Sequence, residues 1–86
     1  MNKENYYSTR DFNLSQFLFA KGFELVNLDW TDSRRCKFVF VNSPEIEDSV
    51  ELFNYAKESD PRVMVDARKL LLSSKFLKDK LYQGRD

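Results

Sequence analysis

The chemistry open to this chain is bounded first by what it lacks. None of its 86 residues is His, so the side chain that titrates near neutral pH and most often binds metals is missing. The single cysteine, Cys36, can form neither a thiolate zinc site nor an intramolecular disulfide. Gly22 and Gly84 are the only glycines, and nothing like a phosphate-cradling loop can be built from them. Carboxylates gather between Glu45 and Glu51, but they fall on a helix surface with no sign of a cleft, and a solvated face accounts for them. The expectation is a non-enzymatic protein without metal or small-molecule cofactor.

Cations interleaved with aromatic residues are the remaining chemistry. The run Arg35-Cys36-Lys37-Phe38-Val39-Phe40 has the flavour of the basic, aromatic strand on which RNA-binding sheets stack bases. That strand needs a small residue where Cys36 and Lys37 stand, and it needs its aromatics exposed. The alternation here buries Phe38 and Phe40, so packing is the better account.

The last helical stretch carries more. Its apolar positions Ala67, Leu70, Leu71, Leu77 and Leu81 share one side with Ser74, which makes that side the core stripe. Leu72 and Phe76 lie elsewhere, with Arg68 and Lys75 on one flank, Lys69 and Lys80 on the other, and Asp79 between. A helix apolar on two sides must be covered on both. The second cover is the rest of this chain, a protein partner or second copy, or a nucleic acid with Phe76 as a stacking residue and Arg62 adding to the basic face. The candidate binding residues are therefore Arg68, Lys69, Leu72, Lys75, Phe76 and Lys80. The leading expectation is a protein-interaction module that uses this helix, with a homodimer as one form. Weak nucleic-acid binding is the alternative.

Charge patterning sharpens the choice without settling it. Fourteen basic residues balance fourteen acidic ones, so no whole-chain field attracts nucleic acid or membrane. Pro44 to Asp60, however, holds six acidic residues against Lys57 alone, and Pro61 to Asp86 holds seven basic against three acidic. Either two solvated helix faces attract one another or the basic one is a binding surface. No apolar run approaches the roughly 18 to 20 residues of a membrane span, and Met1 to Asp11 is too polar for a signal peptide. With one cysteine, a reducing, cytoplasmic setting is expected.

The elements that must position these residues are organised by a hairpin, Phe23 to Val41. Asp29 is expected to face Arg35, Asn27 to face Lys37 and Leu25 to face Val39, across an odd-length loop around Thr31 to Arg34. That parity gathers Val26, Leu28, Trp30, Cys36, Phe38 and Phe40 on one apolar face. Leu25 and Val39 then need cover from the last helix or a second copy.

Before the hairpin, a short strand is expected at Tyr6 to Ser8 and a helix from a Ser8 or Thr9 cap to about Lys21, closed by Gly22. Leu14, Phe17, Leu18 and Lys21 form one side of that helix, and Phe12 and Phe19 fall on another. After the hairpin, Asn42-Ser43-Pro44-Glu45 starts a helix with Ile46, Val50 and Phe53 inward, ending near Glu58 before Pro61. Arg62 to Val65 reads as a further strand, and Asp66 caps the last helix, Ala67 to Tyr82.

The whole is a single α+β domain over 1–86, with 1–5 and 84–86 disordered. It is an antiparallel-rich sheet built on the hairpin with three helices. With the first strand it follows a ferredoxin-like split βαβ order plus an extra C-terminal helix, free to lie across the open sheet face. Without it the sheet has three strands.

Tyr7-Ser8-Thr9-Arg10-Asp11, Leu14, Ala20-Lys21-Gly22, Phe38-Val39-Phe40 and Val65-Asp66-Ala67-Arg68 together resemble a family of short, uncharacterised bacterial and phage proteins classed as a domain of unknown function. The likeness spans about Tyr7 to Tyr82 and implies one compact intracellular domain. It brings no activity and no catalytic residues with it.

Overall fold

In the computed structural model, which describes residues 5–84, the hairpin is the centre of a three-stranded antiparallel sheet. Its strands are β1 (Tyr6–Thr9), β2 (Leu25–Asp29) and β3 (Lys37–Val41), in the spatial order β1-β3-β2. Helices α1 (Phe12–Ala20), α2 (Pro44–Tyr55) and α3 (Ala67–Gly84) complete an α+β fold. The β1-β3-β2 order is that of the first three strands of a split βαβ unit. The sequence-based expectations for the termini fall, apart from Asn5 and Gly84, outside the described residues; the Asn5 carbonyl accepts the Asn42 N–H at 2.9 Å, and Gly84 closes α3.

The fourth strand expected at Arg62 to Val65 is corrected to a 3-10 turn, Pro61–Val63. Its cause is local. The Asp60 carboxylate accepts the Arg62 N–H at 2.9 Å, and the Val63 and Met64 N–H groups close onto the Asp60 and Pro61 carbonyls. Backbone donors that a sheet would have used are satisfied within the turn.

The register of the hairpin is also corrected. Asp29 faces Lys37 rather than Arg35, Asn27 faces Val39 rather than Lys37, and Leu25 faces Phe40 rather than Val39. The loop is longer than expected because two Asx turns extend it: Asp29 Oδ1 accepts the Thr31 N–H, and Asp32 Oδ1 accepts the Arg34 N–H. A bulge between Leu25 and Asn27 then reverses the alternation. Val26, assigned to the core face, is turned out and 42% exposed, while Leu25 turns in and packs on the core. Trp30 and Cys36 fall beyond the ladder and are only half-buried.

Asp11, rather than Ser8 or Thr9, caps α1: its Oδ1 accepts the Leu14 N–H at 3.1 Å, while Thr9 Oγ1 accepts the Asp11 N–H. Gly22 follows with φ +102°, the left-handed geometry glycine adopts without strain. Ser43 caps α2 with Pro44 in the first turn. This helix ends at Tyr55 and not near Glu58, because Ala56 is already extended and Ser59 takes a positive φ of 69°.

The core lies between the sheet and the helical layer. Leu14, Phe17 and Leu18 of α1 meet Phe38 and Phe40 of β3, Ile46 of α2 and Leu77 of α3. Phe40, Leu18, Ile46 and Leu77 are fully buried, each worth about 1.5–3 kcal/mol against exposure. Phe12 flanks this core, its ring edge-on to Phe38 at 5.9 Å. Helix α1 runs between α2 and α3 and packs on both, and α3 also touches β2.

Helix α3 is thus part of the core layer and does not lie across the opposite sheet face. That face keeps Tyr6, Val26 and Val41 exposed, with Val39 half-covered among them. The α3 stripe is corrected too. Leu70, Ser73, Ser74, Leu77 and Leu81 turn inward, while Ala67 is exposed and Leu71 is 68% exposed. Ser73 is buried because its hydroxyl donates to the Lys69 carbonyl at 2.7 Å, which satisfies it inside the helix.

Candidate functional site on the last helix

Helix α3 is set in place by its cap. Asp66 Oδ1 accepts the Arg68 N–H at 2.8 Å and the Lys69 N–H at 3.3 Å, and Gln16 of α1 donates its side-chain amide to the Leu70 carbonyl at 3.1 Å. With Leu77 anchored in the core, the opposite side of the helix faces solvent. Leu72 is 66% exposed there and Phe76 40%. Four residues apart, they lie one above the other on the helix surface.

Phe76 is only partly free. Its ring stacks on Phe19 at 4.8 Å and 8° between planes, and Lys80 Nζ sits 5.4 Å from its centroid. Phe19, separated from the core stripe of α1, therefore supports an aromatic ledge instead of filling the centre of the molecule. Lys69 and Lys80, on the flank that holds Phe76, are exposed.

The other expected cations are held by local carboxylates. Arg68 Nε is 3.7 Å from Asp66, and Lys75 Nζ is 3.5 Å from Asp79 one turn on. Arg62 donates to Asp60 at 2.8 Å, a contact that holds the Asp60 carboxyl down to about 2 and raises the guanidinium. Among the described residues no ion pair joins α2 to α3; α1 stands between the acidic and basic helices. The two charge blocks meet only where Arg62 pairs with Asp60 and lines a depression with Asp48 and Glu51, among the described residues; the cations of α3 itself make no ion pair with α2.

The remaining chemistry-bearing groups are dispersed. Burial first, and then the charge of Asp29, raises the Cys36 thiol, which donates to the Lys37 carbonyl; it stays protonated at neutral pH. Burial likewise raises Tyr7, assisted by Asp11. Asp48 and Glu51, from the carboxylate run of α2, line a shallow depression with Tyr55 and Arg62. No group of three or more potential metal ligands occurs among the described residues, and no described helix is long and apolar enough to cross a membrane.

One grouping has no forerunner in the sequence reading. Phe12, Trp30, Arg34, Cys36, Lys78 and Tyr82 line an open cleft where the hairpin loop meets the C-terminal half of α3. These residues come from three elements, so no spacing within any one of them signals the cleft.

Sheet, helical layer and exposed ledge define a small two-layer α+β domain with one helix presented outward. The chain belongs to the family described as a domain of unknown function (DUF5659), whose model matches residues 4–66. The match takes in the sheet, α1, α2 and the 3-10 turn and ends at the cap of α3. No curated protein and no solved structure shows significant similarity to the chain.

Proposed function

We propose that the protein is a non-enzymatic interaction module that meets a protein partner through the outer face of α3, with a second copy of the chain as the simplest such partner. The observation that carries this reading is Leu72 beside the Phe76–Phe19 stack, exposed and bordered by Lys69 and Lys80. Leaving apolar area in water costs about 25 cal/mol per Å², and an apolar centre with a charged rim has the composition of an interface. A missing imidazole and a protonated Cys36 favour binding over catalysis. A cytoplasmic setting, where a lone thiol stays reduced, goes with this reading, as does the bacterial or phage origin that the family resemblance implies.

Light scattering over a concentration series tests the homodimer form. The expected result is a mass that doubles with concentration and returns to the monomer value in Leu72→Asp. A monomer at every concentration rules that form out.

Nucleic-acid binding through the same helix is the second reading, favoured by exposed Lys69 and Lys80. It ranks lower because Arg62, Arg68 and Lys75 already have carboxylate partners. Phosphate binding releases counterions, so polarisation of a labelled strand should fall steeply with salt. No shift at low salt eliminates it.

A further inference from the structure

The cleft between the hairpin loop and α3 takes no part in the interaction surface just described. Phe76 meets Phe19, whereas Lys78 and Tyr82, four residues apart, project on another flank of α3. The open cleft has a volume of about 630 Å³, inside the roughly 300–1,000 Å³ range of small-molecule sites. Its lining sorts by chemistry. Phe12, Trp30 and Tyr82 supply aromatic surface, Leu81 and Cys36 extend it, Ser33 adds a hydroxyl, and Arg34 and Lys78 supply positive charge, with no carboxylate among the described lining residues.

Both cations are available. Neither Arg34 nor Lys78 has an ion-pair partner among the described residues. The nearby acids of the loop accept local hydrogen bonds: Asp32 from the Arg34 N–H, and Asp29 from the Thr31 N–H and hydroxyl. Lys78 Nζ lies 6.0 Å from the centroid of Phe12, which places a cation beside an aromatic wall. The indole of Trp30 is held in place as well. Trp30 rests so close to the backbone of Gly84 that a Cβ there would collide with its indole.

We propose that this cleft binds a planar aromatic anion, the chemistry of a nucleoside monophosphate. The ring packs against Trp30, Phe12 and Tyr82, and the anion is met by the forked guanidinium of Arg34 and the ammonium of Lys78. A free nucleotide and a nucleotide within a single strand offer the same chemistry, so the test includes both.

Trp30 is the sole tryptophan, and its fluorescence reports occupancy directly. The full chain is titrated with AMP, GMP, CMP and UMP, with the matching nucleosides, and with the corresponding single-stranded tetranucleotides. The expected result is a saturable change with at least one monophosphate, with the nucleoside weaker by about tenfold or more for the lost charge-assisted contacts. Arg34→Gln and Lys78→Gln should each weaken the response by about tenfold, while Lys57→Gln, remote on the chain after α2, leaves it unchanged. A tetranucleotide that binds more tightly than its monophosphate assigns the site to a strand; equal or weaker binding assigns it to the free nucleotide. Absence of a saturable change with every monophosphate and tetranucleotide, equal responses to nucleoside and nucleotide, or unaltered affinity in the Arg34→Gln/Lys78→Gln double variant would overturn the assignment. Both cations are exposed, so the variants keep the fold, and circular dichroism checks that they do.

Discussion

Phe38 shows how much one side chain can decide. It is 2% exposed, edge-on to Phe12 and opposite Leu28 in the ladder. Phe38→Ala should lower stability by about 3–5 kcal/mol, the usual loss for a buried Phe. A change below about 1 kcal/mol in a denaturant titration would mean an open sheet face and revive base stacking there. Asp60 makes a different kind of contribution. Its carboxyl is held down to about 2 by hydrogen bonds from the Arg62 side chain and N–H, against about 4 in an unfolded chain. A depressed folded value stabilises above the unfolded one, so the contribution is complete above about pH 4 and fades as pH falls toward about 2. Unfolding midpoints between pH 6 and pH 2 should therefore drop further for the wild type than for Asp60→Asn, and parallel curves would show that the Arg62 contact adds nothing. Both residues were open to reading in advance only in part: Phe38 through its alternation, Asp60 only as one of the polar residues before Pro61.

At the scale of the element, starts were legible and ends were less so. Ser43 and Pro44 announce α2, and the Ser43 hydroxyl indeed accepts the Ile46 N–H at 3.2 Å. Ser43→Ala should cost about 1 kcal/mol, as cap removals do, and thermal unfolding unchanged by the substitution would show that water replaces the cap. The same chemistry misled at Arg62 to Val65, where β-branched residues suggest a strand but Asp60 and Pro61 close a turn first. The hairpin shows the complementary limit. Its alternation identified both strands and the buried Phe38 and Phe40, yet a two-residue register shift preserves that alternation, and the bulge at Val26 has no composition of its own. The longer loop held by the Asp29 and Asp32 turns, together with the packing of Leu25 on the core, accompanies the observed pairing.

The whole molecule is asymmetric. Its helices form one layer, acidic α2 and basic α3 on either side of α1, and the opposite sheet face carries Tyr6, Val26 and Val41 into solvent. The placement of α3 is the point most open to experiment. Leu77 is fully buried while Leu71 is 68% exposed, so Leu77→Ala should cost about 2–5 kcal/mol and Leu71→Ala no more than about 0.5 kcal/mol. Comparable losses at both positions in denaturant titrations would restore the original stripe and rotate α3 so that Lys78 turns toward the core and Phe76 leaves Phe19. The partner surface and the cleft would then both have to be redrawn.

Local rules determined most of what could be read in advance: the absence of imidazole, the caps at Ser43 and Asp66, the left-handed Gly22, and the alternation that buries Phe38 and Phe40. Each depends on residues within a few positions of one another, where sterics and hydrogen bonding act without reference to the rest of the chain. Tertiary structure decided the hairpin register, the inward side of α3, the pairing of Phe19 with Phe76, and the meeting of Phe12, Trp30, Arg34, Lys78 and Tyr82. Those outcomes depend on which of several nearly equivalent apolar faces fills the space left between α1 and the sheet. That competition is settled by packing volume across elements far apart in sequence, and no local spacing encodes it.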